Sequence, residues 1–147
     1  MRDLVSYSSS LGRLELHISL IPKYRHKIFA YDKIKTVCQL EFNRVAEQYG
    51  FRIKELGFDI DHLHMVLQLP PSMSVSEAVK LLKGNSSRKL FQCFPWLRQK
   101  FFWGGRLWSP AYYFDSVGDT TSEVIYKYVR NQGKKGDELR KLSEFTN

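Results

Sequence analysis

The stretch that decides the fold is FDIDHLHMVLQL, residues 58–69. Apolar and mostly polar side chains alternate along it, as in a strand with one face on the core. The apolar face carries Leu63, Met65, Leu67 and Leu69, and the other face carries His62, His64, Val66 and Gln68. Two imidazoles on one side of a strand project side by side, about 7 Å apart along it. This arrangement predicts that His62 and His64 hold one metal ion.

Three further elements precede this strand. Leu14, Leu16, Ile18 and Leu20 alternate with polar residues, which predicts a half-buried first strand that ends at Pro22. Apolar residues then recur at helical spacing from Ile34 to Tyr49, and Gly50 suits the C-terminal cap of that helix. Residues 51–58 are expected to form the second strand.

Two helices and one strand are predicted after the histidine-bearing strand. The capping box Ser74-Val75-Ser76-Glu77 opens a second helix, which we expect to break or bend at residues 84–87 before residues 90–94 resume it. Residues 111–117 predict a fourth strand. A second capping box at residues 120–123 opens a last helix that stops at Gly133.

The predicted order is therefore β-α-β-β-α-β with an additional C-terminal helix, an α+β, ferredoxin-like sandwich. We expect one domain over residues 1–147, with residues 1–12 and 134–147 as tails. This topology puts the first and third strands side by side and leaves one sheet face open. His17 would then point to the same open face as His62 and His64.

Composition and charge limit the class of protein. The 147 residues are 43% hydrophobic and 26% charged, so a globular domain is expected rather than a disordered chain. The net charge of +8 favours a polyanionic partner such as nucleic acid, although a merely basic protein has the same balance. Cys38 and Cys93 form no metal or redox motif, and no signal peptide or membrane span is visible. We expect a cytoplasmic protein with reduced thiols and no membrane partner.

The last predicted helix carries two further candidate residues for the metal site. Tyr128 and Gln132 are four residues apart, so they share one helix face. Gln132 could offer its oxygen to the metal, and mixed imidazole and carbonyl ligation suits Mg²⁺ or Mn²⁺. Tyr128 could attack a DNA phosphate if a nearby cation stabilises its phenolate. Tyr126 competes for this role but lies about 200° around the helix.

Simpler interpretations stand beside these. A His-x-His pair is more often a polar surface pair, and a tyrosine at helical spacing is more often a packing residue. The candidate DNA contacts are the basic residues Lys23, Arg25, Lys83, Arg88 and Arg106. Aromatic residues that could stack on unpaired bases, with core packing the favoured alternative, are Trp103, Trp108, Tyr112 and Tyr113.

These residues together resemble the HUH single-tyrosine transposases, the TnpA type of insertion sequences that move as single-stranded DNA. The resemblance runs from about residue 16 to residue 133. Its most specific parts are Pro22-Lys23-Tyr24-Arg25, Asp61-His62-Leu63-His64, residues 82–87, Leu107-Trp108-Ser109-Pro110 with Tyr112-Tyr113, and Tyr128-Val129-Arg130-Asn131-Gln132. Any one of them would be weak, and all five in this order are specific.

The resemblance implies a metal-dependent endonuclease and strand transferase that recognises DNA hairpins and cuts through a 5′-phosphotyrosine link. It implies His62, His64 and Gln132 as metal ligands and Tyr128 as the nucleophile. Asp59 is implied as a substitute ligand, although strict alternation turns it to the wrong face, and His17 is a more distant candidate. It also implies a homodimer in which the tyrosine helix of one subunit completes the site of the other.

Two alternatives remain open at this point. The first is a non-catalytic module that binds single-stranded nucleic acid on the open sheet face, in which the His pair is incidental. The second is a domesticated relative that cuts repeated chromosomal palindromes. A transposase would form a covalent protein–DNA adduct, and the non-catalytic module would not. The domesticated relative would also form the adduct, so only its substrate distinguishes it from a transposase.

Overall fold

The computed structural model describes residues 5–7, 10–12 and 14–116, and the side chains of residues 14–115. Its first two strands, β1 (Val5–Tyr7) and β2 (Ser10–Gly12), pair antiparallel with Val5 opposite Gly12. The sequence predicted a loose arm over residues 1–12, whereas the described backbone there forms a short hairpin. Backbone pairing produces this hairpin, and the side-chain pattern gave no sign of it.

The first half of the main sheet follows the predicted order. Strand β3 (Leu14–Pro22) leads through two short 3₁₀ turns, Lys23–Arg25 and Ile28–Ala30, into helix α1 (Asp32–Tyr49). That helix ends at Gly50, whose φ of 77° is the left-handed conformation that glycine adopts without strain. Strands β4 (Arg52–Phe58) and β5 (Leu63–Leu69) follow. The third strand thus starts at Leu63, and residues 59–62 form the connection.

Helix α2 (Val75–Cys93) begins at the predicted capping box, where the Ser74 Oγ accepts a 3.1 Å hydrogen bond from the Glu77 amide. The predicted break at residues 84–87 is wrong, because the helix is continuous there. The side chains of Asn85, Ser86 and Ser87 donate to carbonyl oxygens of the preceding turn, so they do not divert the backbone.

Helix α3 (Trp96–Lys100) and strand β6 (Trp108–Ser116) complete the described elements. Strand β6 begins three residues earlier than the sequence predicted and contains Pro110. It lies at the edge of the sheet, where a residue without an amide hydrogen is tolerated.

The four long strands form an antiparallel sheet in the order β4-β5-β3-β6. The α+β class is confirmed, and so is the adjacency of the first and third main strands, since Ile18 lies opposite Met65. Leu63, Met65, Leu67 and Leu69 join the core with residues from α1 and α2, as their alternation predicted. The predicted C-terminal helix lies outside the described residues.

The other face of the sheet is polar but not open. Side chains on this face that are almost fully buried include Glu15, His17, Ser19 and Gln68. The expectation of an open face is therefore wrong for these residues. Two of them have identified neighbours: the Lys54 Nζ lies 2.9 Å from the Glu15 carboxylate, and the His17 and Tyr113 rings form a T-shaped pair with centroids 6.0 Å apart. Among the residues that the structure describes, none belongs to a helix long and apolar enough to cross a membrane.

Candidate metal centre

The two histidines of the DHLH stretch lie together at the start of β5. His62 immediately precedes the strand and His64 is its second residue. Their ring centroids are 6.2 Å apart, and the side chains are 1% and 5% exposed. A ring nitrogen binds a metal at about 2.1 Å, so two rings that share one ion have centroids no more than roughly 6.5 Å apart. The observed separation is within that reach.

One ring nitrogen of His62 contacts a carboxylate, and the other has no hydrogen-bond partner among the described residues. Its Nδ1 lies 2.8 Å from the Asp61 Oδ1, and Arg25 holds the second carboxylate oxygen of Asp61 at 3.3 Å. Burial opposes ionisation of Asp61, but the hydrogen bond from His62 and the charge of Arg25 outweigh it and lower the pKa of Asp61. The His62 Nε2 is buried and has no hydrogen-bond partner among the described residues.

Asp59 reaches the same place despite the prediction from alternation. In the connection between β4 and β5, the Asp59 amide donates to the His62 carbonyl at 2.9 Å, which folds the chain back. The Asp59 Oδ2 thereby lies 4.0 Å from the His62 Nε2, while its Oδ1 accepts from the Ile60 amide. The expectation that Asp59 faces away is wrong, because residues 59–62 are a turn and not a strand.

His64 is held in its neutral form. Burial, together with the charges of His62 and His17, lowers the pKa of His64 to about 4, and the Asp59 carboxylate only partly opposes this. At neutral pH its ring therefore keeps a lone pair, which a metal ligand needs. The His64 Nδ1 is buried and has no hydrogen-bond partner among the residues that the structure describes.

Gly57 is a residue of the candidate site that the sequence reasoning missed. It lies opposite His64 in the pairing of β4 with β5. A Cβ atom at Gly57 would be 2.2 Å from the His64 Cε1. The missing side chain therefore makes the space that the imidazole occupies. A glycine inside a strand often marks a close approach of this kind, and that was the available signal.

His17 lies on the same face but is not part of a complete site. Burial lowers its pKa to about 4, against the opposing charge of Asp115. Within the described residues, no three His, Cys, Asp or Glu side chains are arranged to hold a metal. Tyr128 and Gln132, the predicted nucleophile and third ligand, lie outside the described residues.

The candidate DNA contacts do not form one group. Arg25 belongs to the ion pair with Asp61. Arg88 is exposed and donates to Asn85 at 2.9 Å, and Lys23 is half-buried after β3. Lys83 and Arg106 line one pocket of about 220 Å³ beside β6.

Lys83 is the most unusual of these cations. Its ammonium donates to the Ser109 carbonyl at 2.7 Å and lies over the Tyr112 ring. Burial lowers its pKa to about 8. Trp108 packs in the core, as favoured above, whereas Trp103 is 82% exposed.

The chain is similar to known proteins over most of its length. It matches the family described as "Transposase IS200 like" over residues 10–132. It is 33% identical to the ISDra2 transposase TnpA of Deinococcus radiodurans over 126 residues, which cover 84% of this chain and 86% of that protein. It is 34% identical to the transposase for insertion sequence element IS200 of Salmonella typhimurium, with 95% of this chain and 91% of that protein covered.

Two solved structures share the fold. A Deinococcus radiodurans protein provisionally described as a transposase has a TM-score of 0.70 and 32% identity, covering 87% of this chain and 97% of that one. A REP-associated tyrosine transposase bound to a REP hairpin has a TM-score of 0.63, covering 90% of this chain and 74% of that one. At 12% identity, the second likeness shows the fold alone.

Proposed function

The chain belongs to the IS200-like transposase family, and we propose that it is a metal-dependent single-stranded DNA endonuclease and strand transferase. Its substrates would be DNA hairpins at the ends of a mobile element. The observation that carries this proposal is the pair of neighbouring imidazoles, His62 and His64, with ring centroids 6.2 Å apart and nitrogens left without described partners.

The donor groups suit a divalent cation. The His62 Nε2 faces the Asp59 Oδ2 at 4.0 Å, and with a proton on Nδ1 both atoms carry lone pairs. A cation between two such atoms would attract both of them. Nitrogen and oxygen donors without sulfur fit Mg²⁺ or Mn²⁺ better than a structural zinc. His62 and His64 would hold the ion with Gln132, and Asp59 would substitute in some states. The ion would neutralise charge on a non-bridging phosphate oxygen.

Tyr128 would perform the covalent step. Its oxygen forms a bond to the phosphorus atom while the bond from phosphorus to the 3′ oxygen breaks. The phenol proton is lost, and the departing 3′ oxygen gains one. The product is a 5′-phosphotyrosine ester on one DNA segment and a free 3′-hydroxyl on the other. No high-energy cofactor is needed for rejoining, because the ester is a phosphodiester like the bond that was broken.

Basic residues would hold the DNA, and a second copy of the chain would complete the site. The candidates for phosphate contacts are Lys23, Lys83, Arg88 and Arg106, together with Arg25, which also pairs with Asp61. The solved neighbour of the same fold is bound to a REP hairpin, and a hairpin is the substrate class that we propose for this chain. We further propose that residues 1–147 act as one domain in a homodimer, in which the Tyr128 helix of one subunit serves the His62–His64 pair of the other.

A strand-resolved adduct assay tests the proposal. A single-stranded hairpin from the flank of the encoding element is labelled at the 3′ end in one sample and at the 5′ end in another, then incubated with Mn²⁺. The 5′-phosphotyrosine link predicts that only the 3′ label migrates with protein on a denaturing gel. The 5′-labelled product should be a shorter free strand that a polymerase can extend.

Tyr128→Phe should abolish the adduct while hairpin binding persists, and Tyr126→Phe is the matched control that should retain it. An adduct that survives Tyr128→Phe would refute the assignment of the nucleophile. Hairpin binding without cleavage by the unmodified protein would favour the non-catalytic alternative. An adduct formed only on repeated chromosomal palindromes would identify the domesticated role.

A further inference from the structure

Three side chains form a chain of contacts that leads away from the candidate metal centre. Arg25 contacts Asp61 through its Nη2 at 3.3 Å and its Nε at 3.4 Å. Asp61 in turn contacts the His62 Nδ1 at 2.8 Å through its other carboxylate oxygen. Each oxygen of Asp61 therefore has its own partner. None of these contacts uses the His62 Nε2.

We propose that Asp61 and Arg25 are positioning residues that fix the ring of His62 and keep its Nε2 free to bind the metal. This inference rests on the proposed function. A carboxylate has no hydrogen to donate, so the shared hydrogen in the Asp61–His62 contact belongs to Nδ1. In a ring with its one hydrogen on Nδ1 the lone pair is on Nε2, which faces the Asp59 Oδ2 at 4.0 Å. Outer carboxylates that fix a metal-binding histidine in this way are widespread in metalloproteins.

The backbone around Arg25 supports this role. Tyr24 and Arg25 both have positive φ angles, 61° and 53°, in the 3₁₀ turn after β3. Non-glycine residues adopt this region at a cost, and two in succession need compensation from the surrounding structure. The turn brings the Arg25 side chain to Asp61, with which it shares partial burial. Arg25 is thus engaged inside the protein, whereas Arg88 is exposed on α2.

The direction in which metal affinity changes when Arg25 is removed distinguishes a positioning role from a purely electrostatic effect of its charge. Removing the positive charge of Arg25 should by Coulomb's law alone tighten the binding of a nearby cation. If Arg25 instead positions Asp61 and His62, its removal should weaken metal binding. If Arg25 is a DNA contact, its removal should weaken hairpin binding and leave metal affinity unchanged or slightly tighter.

The test measures Mn²⁺ binding to the full-length protein without DNA, by calorimetry, and hairpin binding without metal, by fluorescence anisotropy. Asp61→Asn should raise the Mn²⁺ dissociation constant about 10- to 100-fold, the range seen when such outer partners are removed. Arg25→Ala should raise the Mn²⁺ dissociation constant less, by about threefold to tenfold, and Arg25→Lys should have a smaller effect than Arg25→Ala. Arg88→Ala, the matched loss of one exposed arginine, should leave it unchanged. Hairpin affinity of Asp61→Asn should match that of the unmodified protein.

A spectroscopic measurement covers the case in which a variant folds poorly. Nitrogen-15 spectra of the metal-free, unmodified protein should show His62 with its hydrogen on Nδ1 and a free Nε2. A hydrogen on Nε2 would overturn the inference, and so would unchanged or tighter Mn²⁺ binding by Arg25→Ala. If the unmodified protein binds no Mn²⁺ even with DNA present, the proposed function fails as well. Normal Mn²⁺ binding by both variants refutes the positioning role alone.

Discussion

Gly57 and His64 face each other across the pairing of β4 with β5, and the imidazole fills the space that a side chain at Gly57 would need. A Cβ atom there would be 2.2 Å from the His64 Cε1 and 3.0 Å from both ring nitrogens. The absence of a side chain on one strand thus leaves the space in which the ring of a candidate ligand on the next strand lies. Such a relationship leaves no mark on the His-x-His motif itself.

Gly57→Ala should therefore displace the His64 ring and weaken Mn²⁺ binding by about tenfold or more, the scale of effect seen when a ligand's orientation is lost. Calorimetric titration with Mn²⁺ measures this. Gly104→Ala is the matched control, because a Cβ atom at Gly104 meets nothing within 4 Å. Equal Mn²⁺ affinity in the two variants would show that Gly57 does not position His64.

Ser86 and Trp108 give a prediction about stability. The Trp108 Nε1 donates to the Ser86 Oγ at 2.9 Å, and both side chains are buried. Ser86→Ala leaves the indole N–H without that acceptor and should lower the free energy of unfolding by about 1–3 kcal/mol. Urea denaturation measures the loss. The neighbouring Ser87 donates only within its own helix, so Ser87→Ala should change stability by less than about 0.5 kcal/mol.

Lys83 predicts a pH dependence of DNA binding. Burial lowers its pKa to about 8, so the ammonium is mostly charged at pH 7 and mostly neutral at pH 9. If Lys83 contacts a phosphate, hairpin affinity should fall about threefold to tenfold over that interval, through loss of one phosphate contact. Lys83→Arg keeps its charge and should remove this component, whereas Lys89→Arg on the same helix should not. Anisotropy titrations at pH 7 and pH 9 measure hairpin affinity for the unmodified protein and for both variants. The same change in affinity with pH in all three proteins would contradict a contact between Lys83 and a phosphate.

His17 predicts a loss of stability in acid. Burial lowers its pKa to about 4 in the folded chain, while the unfolded chain takes up the proton near the ordinary value of 6.5. The unfolded state thus binds more protons between these values, so the free energy of unfolding falls as pH drops from about 6.5 to 4. By pH 4.5 the contribution of one such histidine is about 2 kcal/mol.

The metal-free protein and its His17→Gln variant should be compared by urea denaturation at pH 7 and pH 4.5. The variant should lose less stability over that interval than the unmodified protein. His64 would show a similar acid effect, which metal binding complicates, so His17 gives the cleaner measurement. An equal loss in both proteins would show that protonation of His17 does not oppose folding.

Sequence reasoning predicted the elements with strong periodicity and misjudged those without it. The alternation from Leu63 to Leu69 and the helical spacing up to Gly50 were read correctly, because burial of one face imposes each period. The break predicted at residues 84–87 was wrong because the helix supplies backbone partners to polar side chains that usually favour turns. The prediction of an open sheet face was wrong for a related reason: a polar side chain can be buried when it has a partner, as Glu15 has in Lys54.

The sequence by itself determined the pair of imidazoles, the basic character of the chain and the order of its main strands and helices. These features depend on side-chain periodicity and composition, which are local properties of the chain. Only the tertiary structure decided that Asp59 folds back towards His62, that Asp61 and Arg25 hold the far side of that ring, and that Gly57 makes room for His64. These contacts join residues through a turn, a strand pairing and an ion pair across 36 positions. Apart from the glycine inside β4, no local pattern in the sequence marks these contacts.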